Sequence, residues 1–318
     1  MDFEGQEFAA VKAAPILLMG GMTAEDSFRL TLLECQAQVA GNIAPMAQAR
    51  DPKGLHQMRV GFRRMDAAFS AFGPAFKTKT FQDLKKRAKA ITKAIGPARD
   101  MDVFIEELLE PAAKAHGEAH AFSALQRRVA KVREGTWDDA VAAVNDSRFQ
   151  RFLDDLSHAI EGCIWRREQD TTRGFIDRVE TIAAETLDKR MKKARKHALH
   201  LKSLNRVECH KLRIALKKTR YAAEFFRPLH DEKEAKRFLK QLSKMQDILG
   251  ALNDVVAAHA TLAKLIETDA RAGDDISRDL HFAAGIVYGW HLDRATERAK
   301  QSVKRWHKID KTKPYWRI

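Results

Sequence analysis

The stretch His210–Phe226, HKLRIALKKTRYAAEFF, combines one apolar helix face with a high density of positive charge. Apolar or small residues recur at every third or fourth position, which predicts an α-helix with one buried face. These residues are Leu212, Leu216, Thr219, Ala223 and Phe226. Five Lys or Arg residues and one His share the stretch, and several of them fall directly beside the apolar face.

A second stretch, His56–Phe72, lies 154 residues upstream and repeats this design with the sequence HQMRVGFRRMDAAFSAF. Its predicted buried face consists of Leu55, Met58, Phe62, Met65 and Phe69. Further residues coincide at the same offset: Asp51 with Asn205, His56 with His210, Arg59 with Arg213, Arg63 and Arg64 with Lys217 and Lys218, Gly96 with Gly250, and Asp100 with Asp254. Helix caps, basic residues, glycine and aspartate that coincide at one offset predict an internal duplication.

The rest of the chain also has the pattern of helices. Gly (16) and Pro (8) are sparse, and 45% of the residues are hydrophobic, which is enough for a globular core. We predict an all-α fold, with an extended leader over residues 1–22 and a domain over 23–318 made of two pseudo-symmetric helical-bundle halves, about 23–172 and 173–318. Glycines and prolines, Gly135 among them, should end helices. The predicted helices span roughly 24–48, 52–72, 78–95, 100–115, 117–134, 147–165, 173–202, 206–227, 231–250, 253–270 and 276–306.

The charge of the chain points to a polyanionic partner. Lys and Arg (57) outnumber Asp and Glu (43), which gives a net charge of +14. The excess is local, since Lys189–Arg220 contains thirteen Lys or Arg and one acid, Glu208. Such a cluster is typical of proteins that bind nucleic acid, anionic lipid or polyphosphate. A basic surface that is merely solvated is the alternative.

The charged residues beside the two apolar faces form what we call the cationic edges. They are His56, Arg59 and Arg63 in the first helix, and His210, Arg213, Lys217 and Arg220 in the second. Cations beside a core cannot all point into bulk water, and burying like charges is unfavourable unless an anion joins them. If the two helices face each other across a twofold axis, both edges line one basic central groove. The alternative is that each Arg pairs with a nearby acid such as Asp66 or Glu224.

Nucleic acid is the main competing ligand. Proteins that bind single strands present exposed aromatic side chains on which bases stack. Here Phe62, Phe69 and Phe226 fall on the apolar faces, which leaves mainly Tyr221 and Phe225 for stacking. The edges also lack the Asn and Gln side chains that read bases. The edges are therefore poorly suited to stacking on bases or reading them.

Catalytic, metal-binding and membrane-spanning motifs are absent from the sequence. The cysteines Cys35, Cys163 and Cys209 are scattered, which is typical of a reducing compartment. His116 and His120 have the i,i+4 spacing of metal ligands but no evident third ligand. The longest uncharged run near the N-terminus, Ala13–Ala24, contains only twelve residues and a proline. We therefore expect a cytoplasmic binding protein, not an enzyme, with no metal, cofactor or membrane span.

Four segments of the sequence resemble the CHAD family, the conserved-histidine α-helical domain. These segments are HQMRVGFRR (56–64), IGPARDMDVF (95–104), HKLRIALKKTRYAAEFF (210–226) and KMQDILGALND (244–254). The resemblance covers about Thr23 to Trp316. It implies a helical domain of two similar halves around a basic central cavity that binds inorganic polyphosphate. It also implies polyphosphate granules or a polyphosphate-metabolising enzyme as partners, with this chain as an accessory subunit in the latter case.

The resemblance also implies which residues bind the polyphosphate. His56, Arg59, Arg63, Arg64, His210, Arg213, Lys217, Lys218 and Arg220 match the family's ligand positions, and Lys89, Arg99 and Lys244 extend the set. Periodicity alone would place Lys89 on a solvated face and Arg64 and Lys218 at the rim. Asp66 stands where the repeat has Arg220, and this acid should weaken one end of the groove or pair with a neighbouring Arg.

Overall fold

Helices account for nearly all regular structure in the part of the chain that the structure describes. The computed structural model describes residues 8–73, 78–117, 119–168, 174–270 and 277–317. Its helices are α1 (Ala24–Ala40), α2 (Ile43–Ala47), α3 (Pro52–Phe72), α4 (Lys79–Ala94), α5 (Gly96–Val103), α6 (Glu110–His116), α7 (Ala119–Asn145), α8 (Ser147–Gly162), α9 (Val179–Ala198), α10 (Arg206–Phe226), α11 (Glu232–Ala270), α12 (Ser277–Ala299) and α13 (Ser302–Asp310). A π-helical turn over Phe104–Leu109 joins α5 to α6. The prediction of an all-α fold is confirmed; within the described ranges, β structure is limited to one bridge between Thr23 and Arg178.

The two helices that carry the cationic edges begin at the predicted caps. The Asp51 side chain accepts a hydrogen bond from the Lys53 backbone N–H (2.8 Å), and Pro52 opens α3. The Asn205 side chain accepts from the Glu208 backbone N–H (3.1 Å) at the start of α10. Both caps therefore fix where the basic residues fall along their helices.

Asn205 and Glu208 have the spacing of a capping box, but only half of that box is formed at α10. The Glu208 carboxylate does not return a bond to the cap. It accepts instead from Lys211 Nζ (2.7 Å) and lies 2.8 Å from His197 Nδ1. The Lys211 ammonium and the His197 ring thus take the place of the cap's backbone N–H at this carboxylate.

Several predicted helix ends are wrong. Helix α7 continues through Gly135, and α11 is one helix where two were predicted, on either side of Gly250. The predicted helix over 24–48 is divided, because the chain turns after α1 at Gly41. A single glycine costs a helix about 1 kcal/mol relative to alanine. Buried neighbours such as Trp137 outweigh that cost in α7.

The predicted apolar faces of α3 and α10 are buried, and the two helices pack against each other. Phe28 of α1 lies at the centre of an aromatic cluster that includes Phe72 (5.3 Å between ring centroids) and Trp165 (5.7 Å). Phe72 in turn contacts Phe226 of α10 at 5.6 Å. The contact between the C-terminal ends of α3 and α10 is therefore part of the main core.

The hydrophobic residues form two clusters. The larger cluster contains the apolar faces of α1, α3, α4, α8, α9 and α10. The smaller one joins α5, α6 and α7 to the C-terminal part of α11 and to α12. Each cluster contains residues from both predicted halves, which divide at position 173. The leader is also part of the core, since Ile16 and Leu18 are buried in the larger cluster.

One helical segment in the described part of the chain, Glu232–Glu267 within α11, is long and apolar enough to cross a membrane by length and composition alone. About a third of its most apolar window is buried inside the protein (33%). The buried helix of a soluble core passes the same test, so this finding is weak support for a membrane span.

Two glycines offer a matched test of the packing. A Cβ at Gly54 would lie 2.7 Å from Pro45 Cβ and 3.0 Å from the Met46 backbone nitrogen, whereas nothing lies within 4 Å of a Cβ at Gly135. We expect Gly54→Ala to lower the free energy of unfolding by about 1–3 kcal/mol through overpacking. Gly135→Ala should raise it by about 0.5–1 kcal/mol through helix propensity. Urea denaturation measures both, and stabilisation by both substitutions would contradict the close packing of α2 on α3.

Candidate anion-binding site

Cations from α3 and α10 lie close together where the two helices pack. The pKa of Lys217 is lowered to about 8, first by burial and then by the charges of Arg213 and Arg63. The pKa of Arg213 is lowered by burial, and the charge of Arg63 adds to this effect. The structure thus brings Arg63 from one cationic edge together with Arg213 and Lys217 from the other.

Much of the hydrogen-bonding capacity of these arginines is unused. Four side chains of the edges have a buried Nε without a hydrogen-bond partner: Arg59, Arg63, Arg213 and Arg220. Within the described ranges, no carboxylate lies at ion-pair distance from Arg63, Arg213 or Lys217. Buried donors without partners are rare in folded proteins and need an explanation. Three cations of the edges are therefore both partly desolvated and free to bind an anion.

Two other arginines of the edges have acidic partners. Arg59 Nη2 lies 3.4 Å from Asp100 Oδ1, and Arg59 Nη1 also donates to the Gly96 carbonyl. Arg220 Nη1 lies 3.5 Å from Glu224 Oε1. The alternative prediction, that arginines of the edges pair with nearby acids, therefore holds for Arg220 and Glu224. Arg59 also pairs with an acid, but that acid is Asp100.

One further acid, Asp254, lies near the unpaired cations without forming an ion pair, and Glu107 lies near Asp254. Burial raises the pKa of Asp254, and the charge of Arg213 opposes that rise. Burial also raises the pKa of Glu107, and the negative charge of Asp254 adds to it. No group of three or more His, Cys, Asp or Glu side chains in the described part of the chain is arranged to hold a metal ion.

The two histidines occupy different environments. His56 is half-buried, and its pKa is lowered by burial, then by Arg99 and by the arginines of its own edge. Arg99, which also lies 3.3 Å from Glu106, is therefore placed beside the first edge. His210 is exposed, and its Nδ1 lies 2.9 Å from Asn253 Oδ1. Position 253 lies 154 residues after position 99, which is the offset of the predicted repeat, and it carries an amide where position 99 carries an arginine.

The three predicted ligands Arg64, Lys89 and Lys244, which are not members of the cationic edges, differ in their burial. Arg64 is buried (7% exposed) and donates to Gln38 Oε1 (2.8 Å) and to the Ala14 carbonyl (3.4 Å). It therefore supports the packing of the leader, and the rim position that periodicity predicted is wrong. Lys89 and Lys244 are exposed.

Lys218 belongs to a second basic cluster. Its pKa is lowered by burial, while Asp66 opposes this and the charges of Arg190, Lys85 and Lys193 add to it. The electrostatic neighbours of Lys218 differ entirely from those of Lys217. Asp66, which was expected to weaken one end of the groove, faces this second cluster.

The sequence analysis missed Arg190. Burial lowers its pKa to about 10, with Asp66 as the opposing charge. Its Nε and Nη2 are buried without hydrogen-bond partners. Arg190 lies between Leu187 and Met191 on the apolar face of α9. Its place on an apolar face was the sequence signal that distinguishes it from the other basic residues of Lys189–Arg220.

Comparison with known proteins identifies the family. The sequence model of the CHAD domain matches residues 31–263, which is more than half of the chain. The chain belongs to the CHAD domain family. Two solved structures share this CHAD domain's fold. The crystal structure of the CHAD domain from the plant Ricinus communis has a TM-score of 0.78 at 24% identity, and the match covers 94% of this chain and 96% of that one.

The second similar structure is PptA from Streptomyces chartreusis, with a TM-score of 0.63 at 14% identity. The match covers 90% of this chain and all of that one (100%). At these identities the two likenesses establish the fold of the CHAD domain alone. No curated protein has a significant match to this sequence.

The titration of Lys217 tests the geometry of the site without a ligand. We expect its ammonium to lose its proton near pH 8, because burial and two nearby arginines disfavour the charged form. NMR of ¹³Cε-labelled lysine from about pH 6 to 11 would resolve it from ordinary lysines, which titrate near 10.4. Arg63→Gln should raise the midpoint, and Lys93→Gln, at an exposed position, should not. A Lys217 midpoint near that of the other lysines would contradict the clustering of the edges.

Proposed function

We propose that this CHAD domain binds inorganic polyphosphate at the cationic edges of α3 and α10, in a basic groove that both halves of the chain line. The observation that carries the proposal is the cluster of Arg63, Arg213 and Lys217, which is partly buried and has no ion-pair partner among the described residues. Partial burial of like charges is unfavourable in the free protein. A bound polyanion would supply the missing negative charge and accept hydrogen bonds from the unpaired donors.

Contacts between repeat-equivalent residues support a groove shared by two halves. Phe72 contacts Phe226, and Arg63 acts electrostatically on Lys217; each pair is related by the offset of 154 residues. Equivalent residues meet each other where two related units pack around a local twofold axis. Two aspartates related by the same offset of 154 residues also lie near equivalent arginines. Asp100 lies beside Arg59, and Asp254 lies near Arg213.

The burial of aromatic side chains favours polyphosphate over nucleic acid. Tyr221 (7% exposed) and Phe225 (1%), which the sequence left as candidates for base stacking, are buried. The guanidinium of Arg220 lies over the Tyr221 ring at 5.4 Å and covers it further. The edges therefore offer hydrogen-bond donors and charge but no stacking platform.

The same arrangement favours a binding module over an enzyme. Asp100 is paired with Arg59 and is, among the described residues, the one carboxylate in ion-pair contact with an arginine of the first edge. Its repeat equivalent, Asp254, lies near Arg213 and Lys217, so cations of the edges act electrostatically on both carboxylates. Cytoplasmic polyphosphate granules, or a polyphosphate-metabolising enzyme that this chain would serve as an accessory subunit, remain our predicted partners.

Competition between polyanions tests the class of ligand. Long-chain polyphosphate should displace a labelled polyphosphate probe at least about tenfold more effectively than single-stranded or duplex DNA at equal phosphate concentration, because the edges neither stack nor read bases. Affinity should fall steeply with salt, since each phosphate contact releases counterions. Equal or better competition by DNA at fixed salt would identify the protein as a nucleic-acid-binding protein instead.

Neutral substitutions at the unpaired cations separate binding from stability. Arg63→Gln and Arg213→Gln should each weaken polyphosphate binding about tenfold, through loss of charge-assisted hydrogen bonds. Neither should lower the melting temperature, because each removes a like charge from the cluster and breaks no ion pair. Lys93→Gln, on the exposed face of α4, is the matched control and should change affinity less than about twofold.

Fluorescence anisotropy and thermal unfolding measure the two effects. A fall in melting temperature without a loss of affinity would show that these arginines have a structural role. A loss of polyphosphate affinity with Arg213→Gln but not with Arg63→Gln would show that the two halves do not share one groove.

A further inference from the structure

A groove between α10, α11 and α12 exposes apolar side chains beside His210. Its volume is about 380 Å³. Three apolar residues that line it are unusually accessible: Val207 (61% exposed), Val256 (46%) and Leu292 (36%). Leu249 and Val255, which are buried, form the floor. An exposed apolar surface of this kind marks an interaction site more often than an isolated surface leucine does.

The charged residues that line the groove are all basic. Arg206, His210 and Lys211 line its α10 side, and the lining contains no Asp or Glu. Lys211 is paired with Glu208, so Arg206 is the cation most available to a ligand. The ligand that complements this surface has apolar groups at its centre and negative charge at its edge.

At the position related to this groove by the offset of 154 residues, a peptide segment of this chain lies against the protein surface. A cavity there is lined by residues 154 positions upstream of five groove residues. The pairs are Pro52 with Arg206, Lys53 with Val207, His56 with His210, Gln57 with Lys211, and Arg99 with Asn253. In the first half, this chain's own N-terminal segment completes the wall through Phe8, Ala9, Ala10 and Lys12.

Two hydrogen bonds fix that segment. Val11 N–H donates to Asn42 Oδ1 (3.0 Å), and Asn42 Nδ2 donates to the Val11 carbonyl (2.8 Å). In the second half, apart from Leu204 just before α10, the residues that line the groove belong to α10, α11 and α12. A peptide segment of this chain thus forms part of the wall in one half, and no such segment lies beside the groove in the other, within the described part of the chain.

We propose that the groove beside His210 binds a short peptide segment of another protein, with apolar side chains toward Val256 and Leu292 and carboxylates toward Arg206. A second copy of this chain is a poorer occupant. In a twofold dimer the same basic rim would face itself, and each chain carries a net charge of +14. This proposal does not depend on polyphosphate binding.

Selection from a displayed library of random ten-residue peptides on the full chain tests the proposal. Recovered peptides should combine Asp or Glu with Leu, Ile, Val or Phe. A synthetic peptide of the recovered sequence should bind with a Kd of about 1–100 µM, in the range of transient peptide recognition. Val256→Lys and Leu292→Lys should each weaken this binding at least about tenfold. Leu199→Lys, at an apolar residue that is 79% exposed outside the groove, is the matched control and should leave it unchanged.

Three outcomes would overturn the proposal. Recovery of no enriched peptides, or of peptides that both groove variants bind as well as the wild type, would show that the groove is not a peptide site. Binding to phosphatidylglycerol–phosphatidylcholine vesicles that Leu292→Lys abolishes, without peptide binding, would assign the surface to a lipid membrane. A dimer in sedimentation analysis that Leu292→Lys dissociates would assign it to a second copy of this chain.

Discussion

Repulsion among partly buried cations is the constraint on which the site depends. Arg63, Arg213 and Lys217 are held beside a core that places them close together, and none of them has an ion-pair partner in the described part of the chain. A free protein in water would relieve this repulsion by turning the side chains outward or by releasing a proton. The lowered pKa of Lys217 reflects burial first and this repulsion second, and a bound polyanion would offset the repulsion.

The core is what prevents the edges from separating. The apolar faces of α3 and α10 are buried, and Phe72 contacts Phe226 where the helices meet. Because each helix begins at a side-chain cap, its basic residues keep a fixed position relative to this contact. The hydrophobic energy of the core therefore offsets the electrostatic cost of the site, a trade of stability for function that is common at binding sites.

Helix bounds and buried faces could be predicted from the sequence where hydrophobic periodicity and capping residues agree. Side-chain environments could not be predicted where a residue distant in sequence determines them. The bounds of α3 and the buried faces of α3 and α10 follow from local pattern alone. Arg64 is different, because its burial depends on Gln38 and on the Ala14 carbonyl of the leader, which no helical wheel includes. Lys218 and Arg190 are likewise separated from the edges by the packing of α9, and a run of basic letters does not contain that information.

Proton uptake on binding tests the central claim most directly. If polyphosphate contacts the cluster, it must raise the lowered pKa of Lys217, so binding at pH 8 should take up as much as about half a proton at a group whose free pKa is about 8. Calorimetry in buffers of different ionisation enthalpy measures this number. Lys217→Arg, which keeps the charge but does not titrate in this range, should retain binding and lose the uptake. Tight binding without proton uptake, or equal uptake by the variant, would show that polyphosphate binds elsewhere.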